Sequence, residues 1–290
     1  MTAVTTTDVH KLPALLNSLR LPTFKKHWQE VTERADREGW STAQALAVLA
    51  EYELAERETR RIHRNLKASR LPAGKTLATF AFSVVPEISK ARVDALAAGD
   101  WLAGAGNLIA VGNSGSGKTH LLAAVGHALI EAGYKVLYAS TTEMVQRLQA
   151  ARRDLQLERE LAKLDRFHLL ILDDITYAQK DQAETSVLFE LIARRYETRS
   201  LAIAANQPFS AWEQVFPDKA MTVAAIDRLV HHATILELNV DSYRRRAAAN
   251  RQPEDVVQTS SSSDNLGDNQ NDNQNDNHDI NLEGGDNQQT

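Results

Sequence analysis

Eight residues, Gly112-Asn113-Ser114-Gly115-Ser116-Gly117-Lys118-Thr119, satisfy the spacing G-x-x-x-x-G-K-[ST]. The chemistry of that pattern is phosphate binding. Glycines let successive backbone N–H groups wrap an anion, and a helix N-terminus adds the positive end of its dipole. Lys118 would reach the β- and γ-phosphates of a nucleoside triphosphate, and the Thr119 hydroxyl would ligate Mg²⁺. His120 follows directly and is grouped with the nucleotide-binding residues. The setting gives the pattern its weight. An apolar run at 108–111 precedes it, and Leu121, Leu122, Val125 and Leu129 form a helical apolar face behind it. A chance glycine turn has neither.

A second apolar run, 169–172, ends in Asp173-Asp174. A buried strand that delivers carboxylates to its C-terminal tip, opposite such a loop, suits Asp173 to hold Mg²⁺ and Asp174 to orient an attacking water. Asn206 ends the next apolar run, where an amide can bond a γ-phosphate or the lytic water; a turn residue ahead of Pro208 is the plainer alternative. Arg228 lies on a helical stretch whose apolar side is Val223, Ile226 and Val230, and on pattern alone it is a solvated side chain. His231-His232 raises a metal site, but neighbours on a helix point to different faces, which argues against one.

Arg57, Arg60, Arg61, Arg64 and Lys67 fall within about 120° of one another at 100° per residue, with Ala55, Ile62 and Leu66 opposite. Such a cationic stripe can track the phosphates of double-stranded DNA, largely regardless of sequence. Glu53, Glu56 and Glu58 crowd its N-terminal end and offer the other reading, a solvated face of ion pairs.

These residues need elements to position them. Strand-like runs at 108–111, 136–139, 169–172, 201–205 and 234–238 alternate with helical stretches near 118–132, 142–163, 183–197 and 222–231. Gly133 sits where a helix C-cap is expected. Short buried strands between helices predict an α/β fold with a central parallel sheet covered on both faces. Residues 8–70 read as helices, with Leu12, Leu15, Leu16, Leu19 and Leu21 at helical spacing, then Ala43, Ala45, Leu46, Val48, Leu49 and Tyr52. Pro13, Pro22 and Trp40-Ser41 break this zone into short pieces, and Ser41 or Thr42 can cap a helix. Leu71-Pro72-Ala73-Gly74-Lys75 is turn chemistry, and Phe80-Ala81-Phe82 leads to a helix near 86–98. The expected division is a small all-α segment at 1–75 for DNA or partner binding, the phosphate-loop domain at 76–250 and a tail at 251–290.

Composition bounds the partners. Residues 252–290 carry nine Asp/Glu and no Lys/Arg. Removing those nine from the 38 acidic residues leaves 29 against 33 basic ones, a charge of +4 for residues 1–251. A mildly basic body beside an acidic tail permits a nucleic-acid partner. The tail, with its DNQN-DNQN-DNHD repeat at 268–279, has too little apolar surface to offset its ordering entropy and is expected to be disordered. Asp272, Gln274, Asp276 and Glu283 match calcium-loop positions, but Asn277 stands where the loop needs glycine. The absence of cysteine excludes disulfides and thiolate metal sites. The first ten residues have no basic segment and no apolar stretch after them. No run approaches the roughly 18 apolar residues of a membrane span. A soluble, cytoplasmic protein without a membrane partner is expected.

The ordered set of motifs resembles the IstB-type transposition helper ATPases, relatives of the DnaC-type helicase loaders within the AAA+ ATPases, from about Leu12 to Arg245. The agreeing pieces include Lys67-Ala68-Ser69-Arg70-Leu71-Pro72, Lys75 with Phe80-Ala81-Phe82, the phosphate loop through His120-Leu121, and the acidic strand end. Further on come Arg195-Tyr196-Glu197 with Ser200, Asn206-Gln207-Pro208-Phe209 with Trp212, Asp227-Arg228-Leu229-Val230-His231-His232, and Ser242-Tyr243-Arg244. The resemblance implies an AAA+ ATPase using ATP and Mg²⁺, with Asn206 as the sensor-one residue and Arg228 as an arginine finger for a neighbouring subunit. It implies a sensor-two arginine at Arg244, with Arg245 and Arg246 as other registers. Asp174 stands where AAA+ enzymes generally carry Glu, though Asp is common among these relatives. That implies slow hydrolysis, stimulated by oligomerisation and DNA. The implied function is an ATP-dependent regulator that self-associates into a ring or filament on double-stranded DNA and assists a transposase in target selection or strand transfer. The alternatives are a loader whose partner is a replicative helicase, and an ATP-gated adaptor with little hydrolysis. The tail has no counterpart in the family pattern.

Overall fold

The structure is a computed structural model that describes residues 8–175, 181–214 and 218–240. The tail at 251–290 and Arg244 lie outside the described residues.

In β1 (Asn107–Gly112), Leu108 and Ala110 join the core on one side of the sheet and Ile109 the core on the other. β3 (Leu169–Asp173) repeats the pattern, with Leu169 and Ile171 on the first side and Leu170 and Leu172 on the second. Apolar residues on both faces at period two are what a doubly covered parallel strand requires. With β2 (Val136–Ser140), β4 (Ser200–Ala205) and β5 (Ala233–Leu238) these strands form a parallel sheet in the order β2-β3-β4-β1-β5. Each strand falls within one residue, at either end, of the apolar run that predicts it.

Helices α4 (Lys90–Ala98) and α5 (Lys118–Glu131) cover the first face. Helices α6 (Thr141–Arg153), α7 (Leu157–Leu164), α8 (Gln182–Arg195) and α9 (Lys219–Val230) cover the second. The single helix expected at 142–163 is therefore two. Leu155, at φ 54°, closes α6: its N–H donates to Arg152 O at 3.1 Å and the Gln156 N–H to Ala151 O at 2.7 Å. This is the turn that normally uses glycine after a helix. It lets α7 fold back so that Leu161 and Leu164 join the core.

The N-terminal prolines open helices rather than interrupt them. Pro13 lies in the first turn of α1 (Leu12–Ser18) and Pro22 begins α2 (Pro22–Glu38), positions where a missing N–H costs nothing. Of the five leucines spaced for α1, only Leu16 is buried. α3 (Thr42–Ser69) runs unbroken for 28 residues behind a capping box between Ser41 and Gln44. Its first half packs Ala45 and Leu49 against Val31 and Ala35 of α2, and its second half sends Ile62 and Leu66 to the first face of the sheet. Between these halves Glu53 is buried and caps α2 across the hairpin. It accepts from the Thr23 N–H at 2.8 Å and the Phe24 N–H at 3.4 Å, where Leu21 has no capping side chain. Burial pushes the Glu53 carboxyl up, but bonds from Arg57, Thr23 and Phe24 outweigh it and hold the group below the usual range. Among the described residues no helix is long and apolar enough to cross a membrane.

Candidate functional site

β1 ends at Gly112, where a Cβ would collide with the carbonyl oxygen of Leu238 in β5. Only glycine lets the chain leave the sheet there. Gly117, at φ 99°, then sets the N-terminus of α5. Between them the loop turns back over the first residues of α5. Lys118 is 5% exposed, and its Nζ donates to Gly112 O at 2.8 Å and Asn113 O at 2.9 Å. Ser116 is buried, and its Oγ has no hydrogen-bond partner among the described residues.

The sheet order puts β4 between β1 and β3, so Asp173, Asp174 and Asn206 arrive at the edge of the sheet that carries the loop. Asp173 Oδ1 accepts from Thr119 Oγ1 at 3.0 Å, and Oδ2 accepts from the Tyr138 hydroxyl at 2.6 Å. The Asp173 carbonyl accepts from Thr141 Oγ1 at 2.9 Å. Burial, reinforced by the bond to Asp173 and the charges of Asp173 and Asp174, pushes the Tyr138 phenol far above its ordinary value, so it stays a donor. Asp174 adopts φ 56°, a left-handed conformation that Asp tolerates better than most residues. Asn206 Nδ2 donates to Asp174 Oδ1 at 3.0 Å.

A cavity of ≈ 320 Å³ opens between these groups. Ser116, Lys118, Thr119, Asp174 and Asn206 line one side; Phe80, Val84 and Val85 line the other. Sequence reading placed that second wall in a linker. Its signal was an apolar Phe80-Ala81-Phe82 in a stretch otherwise read as turn. His120 joins the two sides, with its ring edge-on to Phe80 at 5.4 Å and Nε2 3.1 Å from Thr79 Oγ1. Burial, aided by Lys75, lowers the His120 pKa against the bond that its ring makes to the Thr76 carbonyl. Tyr138 was also missed, because an aromatic in an edge strand looks like packing. The site suits a nucleoside triphosphate with Mg²⁺: it offers a glycine cradle, a buried lysine, a buried hydroxyl without a hydrogen-bond partner among the described residues, and a hydroxyl–carboxylate pair of hard oxygen donors.

Arg228 does not line this cavity. Its guanidinium lies 5.0 Å over the Phe189 ring and Nη1 donates to Ala224 O at 3.0 Å. The five stripe residues share α3 but differ in their partners. Arg57 pairs with Glu53 at 2.8 Å, Arg60 reaches Glu53 and Glu56 at 3.6 Å each, and Arg61 pairs with Glu58. Arg64 and Lys67 are exposed and have no ion pair among the described residues. His231 and His232 lie past the last residue of α9, so the argument from helix faces does not apply to them. Their ring centroids lie 4.1 Å apart with the planes tilted by 41°, and their ligand atoms and those of exposed Glu197 lie within 4.8 Å of one another.

Residues 14–251 match the family described as IstB-like ATP binding protein. A protein of Sinorhizobium fredii named as an insertion sequence ATP-binding protein is 58% identical over 264 residues, covering 89% of each chain. The insertion sequence IS21 ATP-binding protein of Pseudomonas aeruginosa is 34% identical over 236 residues, covering 81% of this chain and 89% of its own. Among solved structures, AMPPCP-bound DnaA from Aquifex aeolicus is similar with a TM-score of 0.51 at 18% identity, over 63% of this chain and 56% of that one; this likeness concerns the fold.

Proposed function

Because this chain belongs to the IstB-like ATP binding protein family, we propose that it is an ATP-hydrolysing regulator that assembles on double-stranded DNA and assists a transposase in target selection or strand transfer. The observation that carries the ATPase reading is the 3.0 Å bond between Thr119 and Asp173, beside the buried Lys118. It joins the hydroxyl and the carboxylate that a phosphate-loop enzyme uses on one metal ion.

In this reading Gly112, Asn113, Ser114, Gly115, Ser116 and Gly117 present backbone N–H groups to the phosphates. Lys118 exchanges the Gly112 and Asn113 carbonyls for β- and γ-phosphate oxygens. Phe80, Val84 and Val85 take the base, and His120 closes the cavity beside them. Thr119 and Asp173 would hold Mg²⁺, which would supply positive charge beside the phosphates. Asp174 orients the attacking water, and the Asn206 amide fixes the Asp174 carboxylate. Arg228 acts on a neighbouring subunit's nucleotide, which agrees with its absence from the cavity of its own chain, and Arg244 serves as sensor two. Segment 1–75 holds DNA or a partner through Arg57, Arg60, Arg61, Arg64 and Lys67; 76–250 is the ATPase domain and 251–290 a separate acidic tail. The compartment is the cytoplasm.

The names of the relatives, both insertion sequence ATP-binding proteins, favour a transposase over a replicative helicase as partner. The test is ATP turnover by the purified protein alone, with random-sequence duplex DNA, and with DNA plus an insertion-sequence transposase. Turnover raised by DNA is the expected result. No turnover in any of the three conditions overturns the ATPase reading.

A further inference from the structure

Five residues of β2 and of β3 separate the nucleotide cavity from the opposite end of the sheet, about 16 Å at 3.3 Å per residue. At that opposite end lies a second cavity, of ≈ 370 Å³, lined by Arg64 and Asn65 of α3, Lys135 just before β2, Lys163 of α7, and Arg166 and Phe167 of the turn into β3. Two small apolar residues complete the lining, so four of its eight residues are cations, and none is a carboxylate. Lys163 has Glu160 at 2.7 Å, and Glu160 is shared with Arg147. Arg64, Lys135 and Arg166 have no ion pair among the described residues.

The turn that carries Arg166 is held rigidly. Fully buried Arg195 donates to the carbonyls of Leu164 and Phe167 at 3.1 Å and of His168 at 3.3 Å. Burial pulls the Arg195 pKa down to about 10, which leaves it protonated at neutral pH. Arg194 ties down the turn's own acidic residue, Asp165, at 2.8 Å, and it also pairs with Glu158 at 2.8 Å. Lys135 is tied to the same turn through its N–H, which donates to His168 Nδ1 at 2.9 Å. His168 reports the local field: burial, then Arg199, Lys135 and Arg195, depress its pKa.

We propose that this groove receives the phosphodiester backbone of duplex DNA, an inference that rests on the DNA-binding reading above. The four cations are exposed and spread over four segments of the chain, an arrangement that tracks a repeating polyanion instead of enclosing one phosphate. It also changes the weight of the α3 stripe. Arg57, Arg60 and Arg61 are engaged with Glu53, Glu56 and Glu58, so their charge is largely balanced where it stands. Arg64 is the stripe residue at which α3 passes the sheet edge, and there it meets three cations of the ATPase body. The groove thus couples α3 to the sheet through a shared ligand.

The experiment is fluorescence anisotropy of a labelled random-sequence duplex over a salt series, with and without ATP. The variants are Lys135→Glu/Arg166→Glu, the neutral pair Lys135→Gln/Arg166→Gln, and Arg57→Gln/Arg60→Gln for comparison. The groove pair is expected to weaken binding about ten-fold or more on every duplex alike and to flatten the log–log salt slope by about two per subunit, one for each lost contact. The Arg57/Arg60 pair is expected to do less, and fluorescent ATP analogue affinity is expected to stay unchanged in the groove variants. If the charge-reversed protein fails to fold, the neutral pair carries the comparison. Wild-type protein that binds DNA while both groove pairs bind it equally well overturns the groove and leaves the DNA reading standing. Wild-type protein that binds no duplex at low salt overturns both.

Discussion

The Tyr138 hydroxyl donates a 2.6 Å hydrogen bond to Oδ2 of Asp173, from the edge strand β2 to the tip of β3. The register explains the reach: Tyr138 pairs with Ile171 and Ser140 with Asp173, so the phenol and the carboxylate are diagonal neighbours on one face. Thr119 occupies the other carboxylate oxygen at 3.0 Å. Both Asp173 oxygens are therefore oriented before any ligand arrives. Tyr138→Phe removes one orienting bond and keeps the packing. The expected result is a 10-fold or larger loss of apparent Mg²⁺ affinity in the turnover assay, on the order seen for partners behind metal ligands. Nucleotide affinity in EDTA should be unchanged. Equal Mg²⁺ titrations for wild type and variant would show that Asp173 needs no such support.

Lys118 and Asp173 should fail differently. Lys118→Ala removes a buried cation from the phosphate cradle, so both nucleotide affinity and turnover are expected to collapse. Asp173→Ala leaves the cradle intact and should retain nucleotide binding while losing Mg²⁺-dependent turnover. Equilibrium binding of a fluorescent ATP analogue beside a phosphate-release assay separates the two. Unchanged turnover in Lys118→Ala would falsify the phosphate-loop assignment.

The strands were legible because parallel strands covered on both faces are continuous apolar runs, such as Leu169 to Leu172, and little else in a globular chain looks like them. The phosphate loop was legible because its glycines and lysine are demanded by local chemistry. What hid from sequence depended on distance or on unmarked turns. Leu155 ends α6 in a conformation that glycine normally announces, so nothing in the letters separates α6 from α7. Tyr138 meets Asp173 only through register, and Phe80 and Val85 reach the loop only after the linker folds over α5. Helical spacing in α3 puts five cations on one face but says nothing of Glu53, whose partners include the Thr23 N–H thirty residues away. Lys135 and Arg166 stand apart in sequence and meet only because β2 and β3 are neighbours.

Two histidines should make stability pH-dependent below neutrality. Burial leads in lowering the pKa of both His120 and His168 from the ordinary 6.5. The unfolded chain therefore takes up protons first as pH falls, so stability is full above about 6.5 and erodes below it, until the folded pKa is passed. Glu53 and Glu160 are shifted the same way but titrate lower, below their ordinary 4.5, so the window between pH 6.5 and about 5 belongs to the histidines. His168→Asn keeps an acceptor for the Lys135 N–H and removes the titration. The drop in melting temperature from pH 7.5 to 5.5 should be smaller in this variant than in wild type. An identical drop would place the pH dependence elsewhere.

Arg228 offers the sharpest test of assembly. It sits on α9, stacked on Phe189, and contributes nothing to the lining of its own chain's cavity. A residue that matters for turnover without lining its own site must act through another subunit or through the fold. Arg228→Ala loses one stacking contact and one bond to Ala224, which costs little stability, so a folding defect is not the expected outcome. If Arg228 is an arginine finger, the variant binds ATP normally and loses roughly 10³-fold or more in turnover. Lys118→Ala has the complementary defect: it carries an intact Arg228 and a dead nucleotide site. In a mixture, an Arg228→Ala subunit with a working site can receive the finger of a Lys118→Ala neighbour. Activity should therefore reappear on mixing and peak at an intermediate ratio, because each productive site needs one subunit of each kind in the correct order. Phosphate release measured across mixing ratios, with duplex DNA present to favour assembly, reads this directly. Activity that stays flat at every ratio, while the single variants still bind DNA and self-associate, would leave Arg228 a packing residue and the site complete within one chain.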